Sequence, residues 1–227
     1  NKSFKKIDTV VHLAALSDVV PSIDKPKKYI INNFVSTLNV LELMRINGIK
    51  RVIYTASSSC YGDKPKIPTS EKDIINCKYP YSYSKYISET LIKHYSDLYK
   101  LEYISLRLFN VYGTRSRTTG AYGAVFGIFL KQKIEGKPFT VVGNGEQKRD
   151  FIFVSDVVSA IEKAIFVKKK NLIFNIGANK PFSINQLVKI LGGKKIFVRD
   201  RPGEPRKTNA NINFAKKKLN WKPKILF

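Results

Sequence analysis

Three predicted strands, separated by segments with helical spacing, constrain the fold of this chain more than any other feature. They lie at residues 9–15, 51–56 and 102–108, and the first is a continuous apolar run, which is typical of a strand that is buried on both faces. Between them, residues 27–47 and 81–100 carry apolar side chains three and four positions apart, as amphipathic helices do. This alternation predicts a doubly wound α/β fold, in which a parallel sheet has helices on both faces.

The pattern changes after Gly113, where the elements become shorter. In order, we predict a helix at 124–135, a strand at 139–143, a helix at 157–166, a strand at 173–176 and a helix at 184–191. Asp156 is the expected N-cap of the helix at 157–166. The sequence therefore predicts two domains: a first at residues 1–113 and a smaller C-terminal α/β lobe at 114–227, partly interleaved with the first.

The formal net charge of +24 raises the question of a nucleic-acid partner. The lysines are spread over every segment, as in the runs 168–170 and 216–218, without interleaved aromatic residues. No helix-turn-helix, zinc-finger or RNA-binding signature accompanies them. We therefore expect a lysine-rich, solvated surface and no nucleic-acid partner.

Membrane, disulfide and metal classes are also disfavoured. No apolar run approaches the roughly 18 residues that span a bilayer, so we expect no membrane partner. Cys60, Cys77, His12 and His94 are too few for a disulfide framework or for a zinc site with recognisable spacing. The expectation is a cytoplasmic protein without a bound metal.

The beginning of the sequence lacks a feature that dinucleotide-binding sheets normally have. Such sheets open with a strand, a glycine-rich turn and a helix. The first glycine of this chain is Gly48. Two alternatives follow: the chain does not bind a dinucleotide, or the sequence lacks the first two strand-helix units, roughly 60 residues.

The segment from Tyr79 to Glu89 places four tyrosines around Lys85. On a helix, only a residue three or four positions earlier shares the face of Lys85, and Tyr81 is the tyrosine that qualifies. At a separation of about 5 Å and an effective dielectric constant of about 20, the ammonium favours tyrosinate by roughly 3 kcal/mol. We therefore expect Lys85 to lower the pKa of Tyr81 and the two residues to form an acid-base pair.

Serines follow the second predicted strand, at the edge of the sheet where parallel α/β folds bind their ligands. The segment 55–59 reads Thr-Ala-Ser-Ser-Ser. A hydroxyl at Ser57 would lie close to Tyr81 and share a substrate proton with it. With these residues, the sequence resembles the extended short-chain dehydrogenase/reductase family, whose members include nucleotide-sugar epimerases and dehydratases. The resemblance covers nearly the whole chain and implies a Rossmann-type sheet for the first domain.

The resemblance implies a role for each of several residues. Ser57, Tyr81 and Lys85 match the catalytic serine, tyrosine and lysine of the family. The residues that it assigns to NAD binding are Leu13, Ala14, Ala15, Asn33, Tyr81 and Lys85. The residues that it assigns to the nucleotide sugar are Ser57, Ser58, Asn110, Arg149, Arg201 and Glu204. Two arginines suit a diphosphate, because guanidinium groups bind phosphate oxygens in pairs.

The reaction that the resemblance implies is NAD-dependent epimerisation of a nucleotide sugar at C4, through a transient 4-keto intermediate. UDP-hexoses are the expected substrates. Family dehydratases carry an acidic pair after the catalytic hydroxyl residue, whereas this chain has Ser58 and Ser59 there. The alternatives are a dehydratase, decarboxylase or reductase of the same family, and a non-catalytic fragment that binds a nucleotide sugar. We expect the sequence as given to be inactive without a glycine-rich N-terminus. The family also implies a homodimer.

Overall fold

The protein is described by a computed structural model that covers residues 4, 6–63, 65–118, 125–200, 205–225 and 227. Its strands, in chain order, are β1 (Thr9–His12), β2 (Arg51–Ser57), β3 (Glu102–Leu108), β4 (Asn110–Tyr112), β5 (Phe139–Val142), β6 (Lys148–Phe153), β7 (Leu172–Ile176), β8 (Pro181–Ser183) and β9 (Lys195–Val198). Its helices are α1 (Val19–Asp24), α2 (Pro26–Ile46), α3 (Pro80–Tyr99), α4 (Val125–Ile134), α5 (Val154–Phe166) and α6 (Ile184–Leu191).

The main sheet is parallel and four-stranded, in the order β1-β2-β3-β7. The predicted buried runs form its centre, and Ile53, Ile104 and Leu106 have no exposed surface. Burying each such side chain contributes roughly 1.5 to 3 kcal/mol relative to leaving it in water. The sheet also includes β7, which comes from the second half of the chain.

Helices cover both faces of this sheet. On one face, α2 and α3 pack over a core that includes Leu41, Met44 and Ile92. On the other face, α5 and a π-helical turn at Ala215–Leu219 pack over Ile104, Phe174 and their neighbours. The predicted doubly wound α/β fold is therefore confirmed.

The remaining elements form a smaller unit beside the carboxyl edge of the sheet. Its strands pair as β4-β6-β8 and as β5-β9. A separate core of Phe129, Phe139, Phe151 and Leu187 joins these strands to α4 and α6. Helix α6 begins with a capping box, in which Ser183 and Gln186 each bind the other's backbone amide.

Two local predictions were wrong. The first strand ends at His12 instead of residue 15, because Leu13, Ala14 and Ala15 are exposed, and apolar composition alone does not distinguish a buried strand from an exposed strand end. Asp156 is not an N-cap, since α5 begins at Val154. Its buried carboxylate instead accepts hydrogen bonds from the backbone amides of Lys224 and Ile225, at 2.9 and 3.0 Å.

Within the described ranges, we find no helix that combines the length and the apolar character needed to cross a membrane.

Candidate active site

A cavity of about 600 Å³ lies at the carboxyl edge of the main sheet, between the sheet and the smaller unit. Parallel strands place the ends of β2 and β3 at this edge, and α3 begins beside them. The cavity is lined by these residues that the sequence singled out: Leu13, Ala15, Ser57, Ser58, Tyr81, Lys85, Asn110 and Arg149. Ala14 and Asn33 are not in its lining, and Arg201 and Glu204 lie outside the described residues.

Tyr81 and Ser57 both line the cavity, and the Ser57 side chain lowers the pKa of the Tyr81 phenol. The serine is itself held in place, because its Oγ lies 2.9 Å from the Ser59 hydroxyl and accepts a hydrogen bond from the Ser59 amide at 3.2 Å. The backbone amide of Tyr81 donates to Ser22 Oγ at 3.0 Å, which attaches the start of α3 to α1. The phenol and the serine hydroxyl are therefore fixed relative to each other.

Lys85 lies one helical turn after Tyr81 and is 4% exposed. Its Nζ lies 4.3 Å from the centroid of the Tyr54 ring, an arrangement in which the π electrons stabilise a cation. Burial lowers the pKa of Lys85 to about 7, although the charge of Glu89 opposes this shift. Burial therefore makes the protonated form of this amine less favourable than it is for a lysine in water.

The pKa of Tyr81 corrects the charge argument drawn from the sequence. Burial raises the pKa of this phenol, and the hydrogen bond with Ser57 is what opposes the shift. Asp18 and Tyr29 raise it further. The expected lowering was wrong for the protein alone, because desolvation of the phenol raises its pKa.

His12, at the end of β1, is a neutral neighbour of this lysine. Burial, followed by the charge of Lys85, lowers the pKa of His12 to about 4. Its Nε2 lies 3.0 Å from the hydroxyl of Thr37 on α2. The His12 ring therefore links β1 to α2 without adding a charge to the site.

The end of β1 is held by α2. The side chain of Asn33 accepts a hydrogen bond from the amide of Leu16 at 2.7 Å and donates one to the carbonyl of Leu16 at 3.0 Å. It also donates to Ser84 Oγ on α3 at 2.8 Å. Asn33 is buried, so it fixes the segment that contains Leu13, Ala14 and Ala15 instead of lining the cavity itself.

This region fits a bound dinucleotide. Leu13 is 56% exposed, although it continues an apolar strand, so its surface suits an apolar ring better than water. Buried Lys85 supplies an amine at the same place. These features suit the ribose and nicotinamide portion of NAD. No group of three or more His, Cys, Asp or Glu side chains placed to hold a metal ion occurs in the part of the chain that the structure describes.

Asn110 and Arg149 lie on the opposite wall, in β4 and β6. The Oδ1 of Asn110 accepts a hydrogen bond from the Thr208 hydroxyl at 3.1 Å. The guanidinium of Arg149 is buried and donates to the carbonyls of Lys148 and Pro205, at 3.1 and 2.5 Å. These contacts hold both side chains at the cavity wall.

Sequence reasoning missed several residues that build the site. The Tyr54 ring packs against the amine of Lys85. Tyr61 lines the cavity, and its hydroxyl accepts a hydrogen bond from Arg107. The sequence pattern could have indicated Tyr54, because it is an aromatic residue with a polar hydroxyl inside a buried strand, three positions before Ser57. The role of Ser22 had no such signal, because it depends on how α1 packs against α3.

Comparisons with known proteins agree with this geometry. A model of the NAD-dependent epimerase/dehydratase family matches residues 1–177. The UDP-glucuronate 4-epimerase of Thermodesulfobacterium geofontis is 34% identical over 229 residues, which are 96% of this chain and 68% of that protein. The structure of the UDP-glucose 4-epimerase of Thermotoga maritima with UDP-glucose is 33% identical, with a TM-score of 0.94 over 99% of this chain and 74% of that one. The UDP-glucuronic acid 4-epimerase of Bacillus cereus, in complex with UDP-glucuronic acid and NAD, is 32% identical, with a TM-score of 0.89 over 99% and 73%.

Proposed function

Because the chain belongs to the NAD-dependent epimerase/dehydratase family, we propose that it inverts a UDP-hexose at C4 with NAD as its cofactor. The observation that carries this proposal is that Ser57, Tyr81 and Lys85 line one cavity at the carboxyl edge of the parallel sheet. A fixed phenol and serine beside a buried amine are the groups that reversible oxidation of a sugar hydroxyl requires.

Tyr81 acts as the base toward the 4-hydroxyl of the sugar. Its phenolate oxygen accepts the substrate proton and becomes the hydroxyl, and Ser57 favours the phenolate form because it lowers the pKa of Tyr81. When bound, NAD would supply the oxidising and reducing power that the exchange of hydride at C4 requires. Lys85 holds the cofactor ribose, and the same Tyr81 hydroxyl returns its proton to the epimerised product.

The remaining contacts hold the two ligands. Leu13, Ala14 and Ala15 lie against the cofactor, and Asn33 keeps that segment in place through Leu16. Across the cavity, Ser58 and Asn110 bind the sugar. Arg149, together with Arg201, binds the diphosphate, and Glu204 binds the nucleoside.

Epimerisation is favoured over dehydration by the carboxylates of the site. Ser58 and Ser59 occupy the positions where an extra acid and base would be needed. Of the described residues in the cavity wall, the acidic ones are Asp18 and Asp63. Asp18 binds Arg117 at 2.8 Å, and Asp63 binds both Tyr79 and Lys78, so neither carboxylate is available for proton transfer to a substrate.

The protein acts as a homodimer that pairs through α2 and α3. Both helices carry exposed apolar side chains, which include Ile31 and Val35 on α2 and Tyr83 and Leu98 on α3. A second copy of the same helix pair would cover this apolar surface.

The proposal is tested with the protein expressed from its natural gene. We expect bound NAD in the purified protein and 4-epimer formation from UDP-glucose, UDP-N-acetylglucosamine or UDP-glucuronate, with no net consumption of NAD. Release of a stable keto sugar would support a dehydratase or reductase instead. Absence of both NAD and product formation would support a binding protein without catalytic activity.

A further inference from the structure

A buried ion pair lies behind the candidate active site, where the proposed chemistry does not use it. Arg107 binds Glu89 through two contacts, Nε to Oε2 at 3.1 Å and Nη2 to Oε1 at 2.5 Å. Both side chains are about 95% buried, and the Ser105 hydroxyl donates a further bond to Oε2 at 2.7 Å. Because burying two charges is costly, a bidentate pair at this depth calls for a role other than stability.

The pair joins α3 to the sheet at the level of the reacting groups. Glu89 lies one helical turn after Lys85 and two turns after Tyr81, on the same face of α3. Arg107 is opposite Ala56 in the parallel register of β2 and β3, so its neighbour on that strand is Ser57. The ion pair thus fixes the height and rotation of α3 relative to Ser57.

The same guanidinium holds the turn that follows Ser57. Arg107 Nη1 donates to the Tyr61 hydroxyl at 2.8 Å, and that hydroxyl donates to Asn175 Oδ1 on β7, also at 2.8 Å. Tyr61 ends the 3-10 turn Ser58–Tyr61 and lines the cavity. One buried arginine therefore contacts both α3, which carries Tyr81 and Lys85, and the turn that directly follows Ser57.

Glu89 also determines the charge around Lys85. His12 faces this lysine from β1, Tyr54 faces it from β2, and Glu89 acts on it from α3. Burial keeps His12 and Tyr54 neutral, since it lowers the pKa of the first and raises that of the second. Among these three neighbours, Glu89 is the one whose negative charge favours a protonated lysine, in addition to the face of the Tyr54 ring.

We infer that the Glu89–Arg107 pair is a positioning device for the proposed epimerisation: it fixes α3 against the turn after Ser57 and supplies the negative charge that favours the ammonium form of Lys85. The inference rests on the proposed function, since that function assigns Lys85 and Tyr81 their roles. The two halves of the statement predict different effects, one on geometry and one on pH dependence.

The electrostatic half, which concerns the charge of Glu89 and the protonation of Lys85, is tested with Glu89→Gln. This substitution keeps the shape of the side chain and removes its charge. We expect the alkaline limb of kcat/KM to move down by about one pH unit, a loss of roughly tenfold at pH 8 and a smaller loss at pH 6. NAD affinity, measured by calorimetry, should decline over the same shifted range. Glu89→Asp retains the charge and should restore the wild-type limb.

The matched control is Glu42→Gln. Glu42 also binds an arginine, Arg45, and a tyrosine hydroxyl, that of Tyr95, but it lies on the exposed part of α2. Its pH profile should equal that of the wild type. An equal loss at every pH in Glu89→Gln, or an unchanged profile, would overturn the electrostatic half of the inference.

The geometric half is tested with Tyr61→Phe, which removes one hydroxyl and leaves no buried charge unpaired. We expect kcat to fall severalfold while KM for the UDP-sugar stays within about twofold. An unchanged kcat would overturn this half, even if Glu89→Gln does not fold. Should the wild-type protein epimerise no sugar nucleotide, the proposed function fails, and the NAD-binding profiles of Glu89→Gln and Glu89→Asp still decide the inference.

Discussion

The inner and outer faces of α3 differ in how deeply their side chains are buried and in the partners that these side chains contact. The inner face carries Tyr81, Lys85 and Glu89 at intervals of one turn, and the last two are almost fully buried. The outer face carries Tyr83 and Leu98, which are 50% and 57% exposed. A phenol on the inner face has an altered pKa and a fixed serine partner, whereas a phenol two positions later lies in solvent. Position on the helix, and not residue type, therefore determines which tyrosine can act as an acid or a base.

The largest difference between the faces should appear in turnover. Tyr81→Phe removes the proposed base, so we expect turnover to fall about 100-fold or more while UDP-sugar binding is retained. Tyr83→Phe removes the same hydroxyl from the outer face and should leave turnover within about twofold. Steady-state kinetics of the two variants check this contrast. Near-normal turnover in Tyr81→Phe would defeat the assignment.

A second difference should appear in stability. Ile92 is 1% exposed and packs with Leu41 and Met44 beneath α3. Ile92→Ala should lower the free energy of unfolding by at least about 2 kcal/mol, because it leaves a cavity in this core. Leu98→Ala, on the exposed end of the helix, should change it by less than about 0.5 kcal/mol. Urea denaturation of both variants measures the contrast, and equal losses would show that the two faces are not packed as described.

A third difference concerns the pH dependence of stability. The pKa of Lys85 is about 7 in the folded protein and near 10.5 when unfolded, so above pH 7 the unfolded state holds more protons. Stability should therefore rise with pH from about 7 to 9, by roughly 1 kcal/mol for each pH unit, relative to a Lys85→Met variant. Lys93→Met, at an exposed position of the same helix, should show the wild-type slope. Parallel curves for the wild type and Lys85→Met would contradict the burial of this amine.

The smallest effect on catalysis is expected from the outer surface. Ile31→Glu combined with Tyr83→Glu places charges on the apolar surface of α2 and α3. Sedimentation velocity should then show a monomer for the variant and the proposed dimer for the wild type, with turnover per subunit within about threefold. A wild-type monomer would contradict the proposed dimer without affecting the inner face.

The sequence predicted those parts of the candidate site that depend on the spacing of residues within one helix or strand. The helical interval between Tyr81 and Lys85 and the position of Ser57 after a buried strand brought these three residues to one cavity, as expected. The predicted strand 102–108 matched β3 at both ends.

The protonation states could not be predicted in the same way. They depend on desolvation, and the groups that surround Lys85 come from β1, β2 and α3 together. The pair of Glu89 and Arg107 was missed for the same reason, since 18 residues separate its members along the chain. Nothing in the local pattern indicates that a glutamate on an amphipathic helix is buried against an arginine of a central strand.

The most direct test of the account is the isotopic fate of C4 during turnover in D₂O. If Tyr81 moves only the hydroxyl proton while the C4 hydrogen leaves and returns as hydride, UDP-glucose should give the 4-epimer with protium retained at C4, as read by NMR. Deuterium at C4 of the product, or accumulation of a keto sugar without a 4-epimer, would contradict the account.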